Sequence, residues 1–370
     1  MGEQYPLDTP PSDAISSLEF SPNGNKLLVG SWDRTLSVYK RSEGDSTPFA
    51  LEQRISCRAP ILDICWGADE TVAYFVGLDH DVRRVDLGTA ENEQTVLSTH
   101  EKPSNKVAYN KERKLLLSTG WDGILHAHNL DVAEGRSYIR VRLAAKPFAL
   151  SLTEGRAIVA MAERKISIYD LLALRMVAEQ TSDIHTGGDS ELGEVEVHEM
   201  SPWQTRESNL KFMTRAVAAM PDGTGFATSS IEGRVAVEWF DADKAGDTYA
   251  FKCHRQTATQ QGEDGAEQEV DIVYPVNALT FNKVHGTFAT GGGDGVITVW
   301  DAQTKRRVKQ YPRQASSVAA LDFSPDSKYI AIGVSPGFED GTEEGETDQS
   351  LVQVVVRELA ENEVKAKAAK

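Results

Sequence analysis

The chain has 370 residues, 40% of them hydrophobic and 8% aromatic, which is enough apolar mass for one large domain or two ordinary ones. A formal charge of −17 argues against generic RNA or DNA binding, which needs clustered Lys and Arg to displace phosphate counterions. The cysteines Cys57, Cys65 and Cys253 form no C-x-x-C pair, so they point to a reduced intracellular compartment and leave structural zinc unsupported. No run is long enough for a membrane span, and the opening MGEQYPLDTP has the pattern of neither a secretory leader nor a myristoylation signal.

In chain order, the first element is EQYPLD, Glu3 to Asp8, a short strand with no partner nearby. A unit then recurs about every 40 residues, a period typical of repeat architectures: strand, turn, strand, a tight turn carrying Gly and an acid, and a third strand. It is read in ISSLEFSPNGNKLLVGSWDRTLSVY, ILDICWGADETVAYFVGLDHDVRRVD and KVAYNKERKLLLSTGWDGILHAHNLD. It returns in FALSLTEGRAIVAMAERKISIYDL, TRAVAAMPDGTGFATSSIEGRVAVEWFD and VNALTFNKVHGTFATGGGDGVITVWD. A seventh unit, VAALDFSPDSKYIAIGVS, is interrupted by an acidic loop after Phe338 before SLVQVVVREL completes it.

Alternation in VITVW and VAVEW is strand periodicity, and Gly and β-branched residues crowd every segment, so helices fail. The fold class that follows is all-β, a seven-bladed WD-repeat β-propeller. A sheet this small buries both faces only by stacking on its neighbours in a ring. A single domain over residues 1–357 is expected, with residues 3–8 closing blade seven as its outer strand. Two acidic stretches, 181–207 and 256–271, break the period and read as solvated surface loops, and residues 358–370 read as a frayed charged tail.

The turn acid keeps its place at Asp33, Asp79, Asp122, Glu163, Glu232 and Asp294, which marks it as structural rather than catalytic. His126 and His128 share one strand face, a spacing compatible with a metal, but no third ligand is near. GGGDG, Gly291 to Gly295, lies between two strands and so is a hairpin turn, not a phosphate loop. No nucleophile elbow, P-loop or H-E-x-x-H occurs, so no enzyme, no cofactor and no metal are expected. Trp32 and Trp121 precede the turn acids of blades one and three. At a turn tip such a ring either packs between blades or anchors a bound peptide. In blade five a hairpin centred near residue 244 places Arg234 opposite position 254, with Lys252 diagonally across. An Arg fork beside a Lys charge suits a phosphate, the alternative being two solvated side chains.

Taken together, GSWDRTLSVY, GLDHDVRRVDL, SSIEGRVAVEWF, YAFKCHR and VNALTFNKVHGTFATGGGDGVITVWD resemble the mitotic checkpoint WD-repeat proteins of the budding-uninhibited-by-benzimidazole group, from about Ile15 to Val356. The sister group, the WD-repeat mRNA export factors, shares EGRVA and FKCHR. SSIEGRVAVE, TFATGGGDG and the acidic balance favour the checkpoint group. The resemblance implies a nuclear, kinetochore-associated adaptor, monomeric by itself, with no membrane and no nucleic acid partner. It would hold a GLEBS segment of a checkpoint kinase or its relative, and read phosphothreonine in MELT-type repeats of a kinetochore scaffold. By the same resemblance Arg234 and Lys252 bind the phosphate, and Trp32 and Trp121 belong to the partner-peptide face. The export alternative would bind a nucleoporin GLEBS segment and RNA. Three departures stand out: AERK replaces the usual blade-four turn, the insertion at 181–207 and the loop after Phe338 are longer than the family's loops, and no Gly-His pair precedes any blade.

Overall fold

The computed structural model describes residues 2–42, 48–131, 138–185, 196–261, 267–337 and 347–366. Blade one comprises Ile15–Phe20, Lys26–Ser31, Thr35–Arg41 and Phe49–Ser56, and blade two Ile61–Trp66, Val72–Gly77, Asp81–Asp86 and Gln94–Thr99. Five further sheets built on the same antiparallel order follow, that of blade three extended by Val197–His198 running parallel to Tyr138–Arg142, and the innermost strands touch one another in turn until the seventh meets the first. This is a seven-bladed β-propeller. Each innermost strand also carries a bulge after its first residue, from Ile15/Ser17 in blade one to Val318/Ala320 in blade seven. A bulge sharpens local twist, and its repetition gives every blade the same pitch around the axis.

The core sits between blades, not within them. Every cluster of buried apolar residues straddles one blade and the next: Val29 and Phe20 with Val354 and Ala331, for example, or Val237 and Trp239 with Phe281 and Phe288. Near the axis, polar side chains fasten the blades to each other. Phe20 N–H donates to Asp322 at 2.8 Å, Trp66 N–H to Glu19 at 3.0 Å and Val107 N–H to Asp63 at 3.1 Å. Burial pushes the Glu19 carboxyl up to about 8 and that of Asp322 up to about 6.

Gln4–Pro6 runs antiparallel to Gln353–Glu358, with Tyr5 opposite Val356, so the outer strand of blade seven comes from the start of the chain. Three sequence expectations need correction. The stretch 181–207 is not all loop: a helix, Leu171–His185, packs Leu174 and Ala178 against blades three and four, and Gln204–Glu207 is the outer strand of blade four. Around 256–271, Arg255–Gln261 pairs with Glu267–Val273 as a separate two-stranded hairpin, because Thr257 and Thr259 on one strand and Val270 and Ile272 on the other keep a period of two despite the acidic composition. The tail is docked through a short helix, Glu361–Val364, whose Val364 is 1% exposed and whose Glu363 lies 3.1 Å from Lys309 Nζ. Most of the acidic loop after Phe338, residues 339–346, lies outside the described residues.

The AERK turn of blade four is closed by Glu163 and Arg164 at φ 60° and 62°, the left-handed pair a two-residue hairpin requires. Among the described residues no helix is long and apolar enough to cross a membrane.

Candidate functional site

Turns between the second and third strands of each blade gather at one end of the ring, which we call the top face. It carries Trp32, Trp121 and Arg234. In blade six it is backed by a buried hydrogen-bond network. His254 Nδ1–H donates to the Asp294 carboxylate at 2.8 Å, and His254 Nε2 meets the Thr290 hydroxyl at 2.8 Å. The indole N–H of Trp300 donates to the same hydroxyl at 3.0 Å. Gly292 precedes this turn because any Cβ there would stand 2.3 Å from His254 Nδ1. Blade three repeats the arrangement, with His100 between Asp122 at 3.1 Å and Ser118 at 3.1 Å. So although no Gly-His pair exists, His100 and His254 fill the histidine's place, preceded by Thr99 and Cys253.

His128 stands where blade six has Trp300. It and His126 share the Ser98 hydroxyl of blade two at 3.0 and 2.9 Å, and His126 stacks on His100 with centroids 3.7 Å apart. Burial, then the neighbouring His100, pushes His128 down to about 3 and His126 well below the usual histidine range. Among the described residues no group of three or more His, Cys, Asp or Glu is arranged to hold a metal. Burial also pushes the Cys57 and Cys253 thiols up to about 12, the reverse of what a nucleophile needs.

The same His254 holds the end of blade five. Tyr249–Lys252 is that blade's outer strand, and the chain passes through Cys253 and His254 before turning into the hairpin at Arg255. His254 has φ 48°, a conformation costly for a non-glycine residue, and its two ring bonds to blade six hold it there. Lys252 is thus anchored two residues from a rigid buried network. Its partner across the sheet is Arg234: the two are directly opposed, not diagonal as the spacing implied. The connection through the short helix Ala242–Asp247 centres the hairpin one residue earlier than expected, which moves the register. Residues facing each other in an antiparallel pair have Cβ atoms about 5 Å apart, so one phosphate can contact both cations.

Three further groups complete this corner. Glu232 Oε2 lies 3.4 Å from Arg234 Nε, without the geometry of a hydrogen bond, and Glu232 Oε1 is buried with no hydrogen-bond partner. Arg255 donates to the Glu232 carbonyl at 2.9 Å, tying the hairpin to the turn that projects Arg234. Gly233, at φ 62°, makes that turn tight enough to bring Arg234 beside Lys252, and a Cβ there would meet the Cys253 carbonyl at 2.7 Å.

The tryptophans are placed differently. Trp32 is 41% exposed and lines a cavity of about 1000 Å³ at the mouth of the ring, together with Arg34, Arg215 and Asn277. Trp121 is half-buried, and Lys146 from the approach to blade four lies 4.5 Å above its ring. It is not part of the Trp32 cavity.

The repeats at residues 4–40 and 273–301 match the model for the WD domain, G-beta repeat. The chain is 36% identical to mitotic checkpoint protein BUB3.1 of Arabidopsis thaliana, over 98% of its own length and 94% of that protein's. It is 30% identical to mitotic checkpoint protein bub3 of Dictyostelium discoideum over 96% of its length and 95% of that protein's. The chain belongs to the Bub3 family of mitotic checkpoint proteins. A poly(A)+ RNA export protein of Schizosaccharomyces pombe is 28% identical over 90% of the chain and 84% of that protein, a more distant relation.

In this Bub3-family chain, sequence reasoning missed Arg255 and Arg215. Arg255 borders a stretch that its acidic composition disguised as a loop. Arg215 is the second residue of the inner strand of blade five, and only the closed ring brings it into the lining of the Trp32 cavity.

Proposed function

We propose that this chain is a spindle-checkpoint adaptor, acting in the nucleus and at kinetochores in mitosis, with two recognition sites on its top face and no turnover. The first reads phosphothreonine in a MELT-type repeat of a kinetochore scaffold. Arg234 and Lys252 contact the phosphate, and Arg255 holds the turn. The second takes a GLEBS segment of a checkpoint kinase or its relative in the cavity lined by Trp32, Asp33, Arg34 and Arg215, with Trp121 on the same face. The observation that carries the reading is the direct opposition of Arg234 and Lys252, two cations placed face to face at a pinned strand end. A phosphate there bridges them with charge-assisted hydrogen bonds, and an unmodified threonine does not.

Titration of the chain with a phosphorylated MELT-type peptide and with its unphosphorylated twin tests this. A preference of at least about tenfold, worth about 1.4 kcal/mol, is expected. Equal affinity for the two peptides overturns the reading. The similarity to RNA export proteins supports a second reading, a nucleoporin segment bound in the same cavity together with RNA. Tight, salt-sensitive binding of single-stranded RNA would favour it, against a net charge of −17.

A further inference from the structure

At the end of the ring opposite the top face, Trp203 is 46% exposed, the other strongly exposed tryptophan besides Trp32. It sits just before the outer strand of blade four, and its ring meets Phe240 of blade five edge-on at 5.8 Å. The Arg156 guanidinium lies 4.2 Å from the ring centre and is held there by its ion pair with Asp170. These groups head a cavity of about 420 Å³ between blades four and five, floored by the turns at Thr153–Arg156 and Pro221–Thr224. Gly155 leaves its part of the floor open, since a Cβ there would meet nothing within 4 Å.

The charge around this cavity is lopsided. With Arg156 balanced by Asp170, the remaining ionic lining is Glu154, Asp222 and Asp241 against the single cation Lys244. The top-face cavity has no such bias, since Arg34 and Arg215 share its lining with Asp13 and Asp33. An exposed Trp backed by a stacked Arg and a second ring is the composition of a binding hot spot, already held in one geometry before a partner arrives.

We propose that the Trp203 cavity is a second docking site, which takes a basic peptide segment of a protein partner, with an aliphatic residue against Trp203 and Phe240 and a Lys or Arg among Glu154, Asp222 and Asp241. The chain then bridges a phosphorylated segment on one end and a basic segment on the other. The proposal does not rest on the phosphate reading: the cavity lies at the opposite end of blade five from Arg234, and either reading can stand without the other.

The test uses the full chain and a short labelled peptide of alternating lysine and leucine, with a glutamate–leucine twin, followed by fluorescence anisotropy. The basic peptide is expected to bind, and Trp203→Ala and Glu154→Lys are each expected to weaken it at least about tenfold, equivalent to about 1.4 kcal/mol. Glu91→Lys makes the same change of net charge at an exposed position on blade two and is expected to shift Kd less than about twofold, the scale of screened long-range charge. Three results overturn the proposal: no binding of the basic peptide, equal losses in Glu154→Lys and Glu91→Lys, or an unchanged Kd in Trp203→Ala. Self-association of the chain that Trp203→Ala abolishes would also overturn it, by assigning the surface to a second copy. Phosphopeptide binding by Trp203→Ala is expected to match wild type, which separates a failure here from a failure of the phosphate site and verifies that the variant is folded.

Discussion

Asp294 and Glu232 occupy the same turn position in adjacent blades, yet the structure assigns them very different weight. Asp294 is 3% exposed, accepts from His254 Nδ1 at 2.8 Å and from Val296 N–H at 3.1 Å, and so orients the histidine. Replacing it with Ala removes two hydrogen bonds to a charged acceptor and leaves the ring of a 7%-exposed histidine with an orphaned donor. At about 1.5–3 kcal/mol for each charge-assisted bond, and with some relaxation, the expected cost of Asp294→Ala is about 3–5 kcal/mol. Glu232 has one buried oxygen with no hydrogen-bond partner, and its contact to Arg234 is 3.4 Å long at a pair 17% and 35% exposed. Glu232→Ala is expected to cost about 0–1 kcal/mol, as for a partly exposed pair. Urea unfolding followed by tryptophan fluorescence, comparing midpoints at constant slope, separates the two variants. Equal costs, or a larger cost for Glu232→Ala, would refute the reasoning that partners and burial, not position in the repeat, set the value of a turn acid.

His128 is fully buried and held down to about 3, so in the fold it stays neutral while the unfolded chain takes up a proton below about 6.5. The folded pKa is the lower one, so this stabilisation is complete above that pH and is lost as pH falls toward 3, by about 1.4 kcal/mol per pH unit. His128→Leu is therefore expected to flatten the fall in unfolding free energy between pH 6.5 and 4.5 by about that slope, and parallel curves for variant and wild type would contradict it. Arg255→Ala is expected to weaken phosphopeptide binding about three- to tenfold through a displaced Arg234 turn, while leaving the unphosphorylated peptide unaffected, and an equal loss for both peptides would remove Arg255 from the site.

Much of the fold was legible because its determinants are local. Strand alternation and a Gly-acid turn recur in each unit, and seven such units exceed what any open sheet needs. The His–Asp–Thr–Trp network was not legible, since His254 lies 40 residues before Asp294 and is preceded by Cys, not Gly. Composition misled in two places. Acidic residues hid the hairpin at Arg255–Gln261 and Glu267–Val273, and charge hid the anchoring role of Glu363 and Val364 in the tail. At the phosphate corner the residue types pointed to Arg234 and Lys252. Their direct opposition depends on the loop through Ala242–Asp247, and a one-residue change in its centre turns a diagonal pair into a facing one. Trp32 and Trp121 looked equivalent in the sequence, but only the ring shows that Lys146 covers one and that a cavity opens beside the other.

The central claim is that Arg234 and Lys252 together distinguish a phosphorylated threonine from a plain one. Calorimetric titration of wild type, Arg234→Glu, Lys252→Glu and Lys328→Glu with both MELT-type peptides tests it most directly, Lys328 being a 66%-exposed lysine at the opposite end of the ring. The preference for the phosphopeptide is expected to collapse to about onefold in the first two variants, a loss of at least about 1.4 kcal/mol, and to persist in Lys328→Glu. A preference that survives Arg234→Glu, or falls equally in Lys328→Glu, would contradict the account.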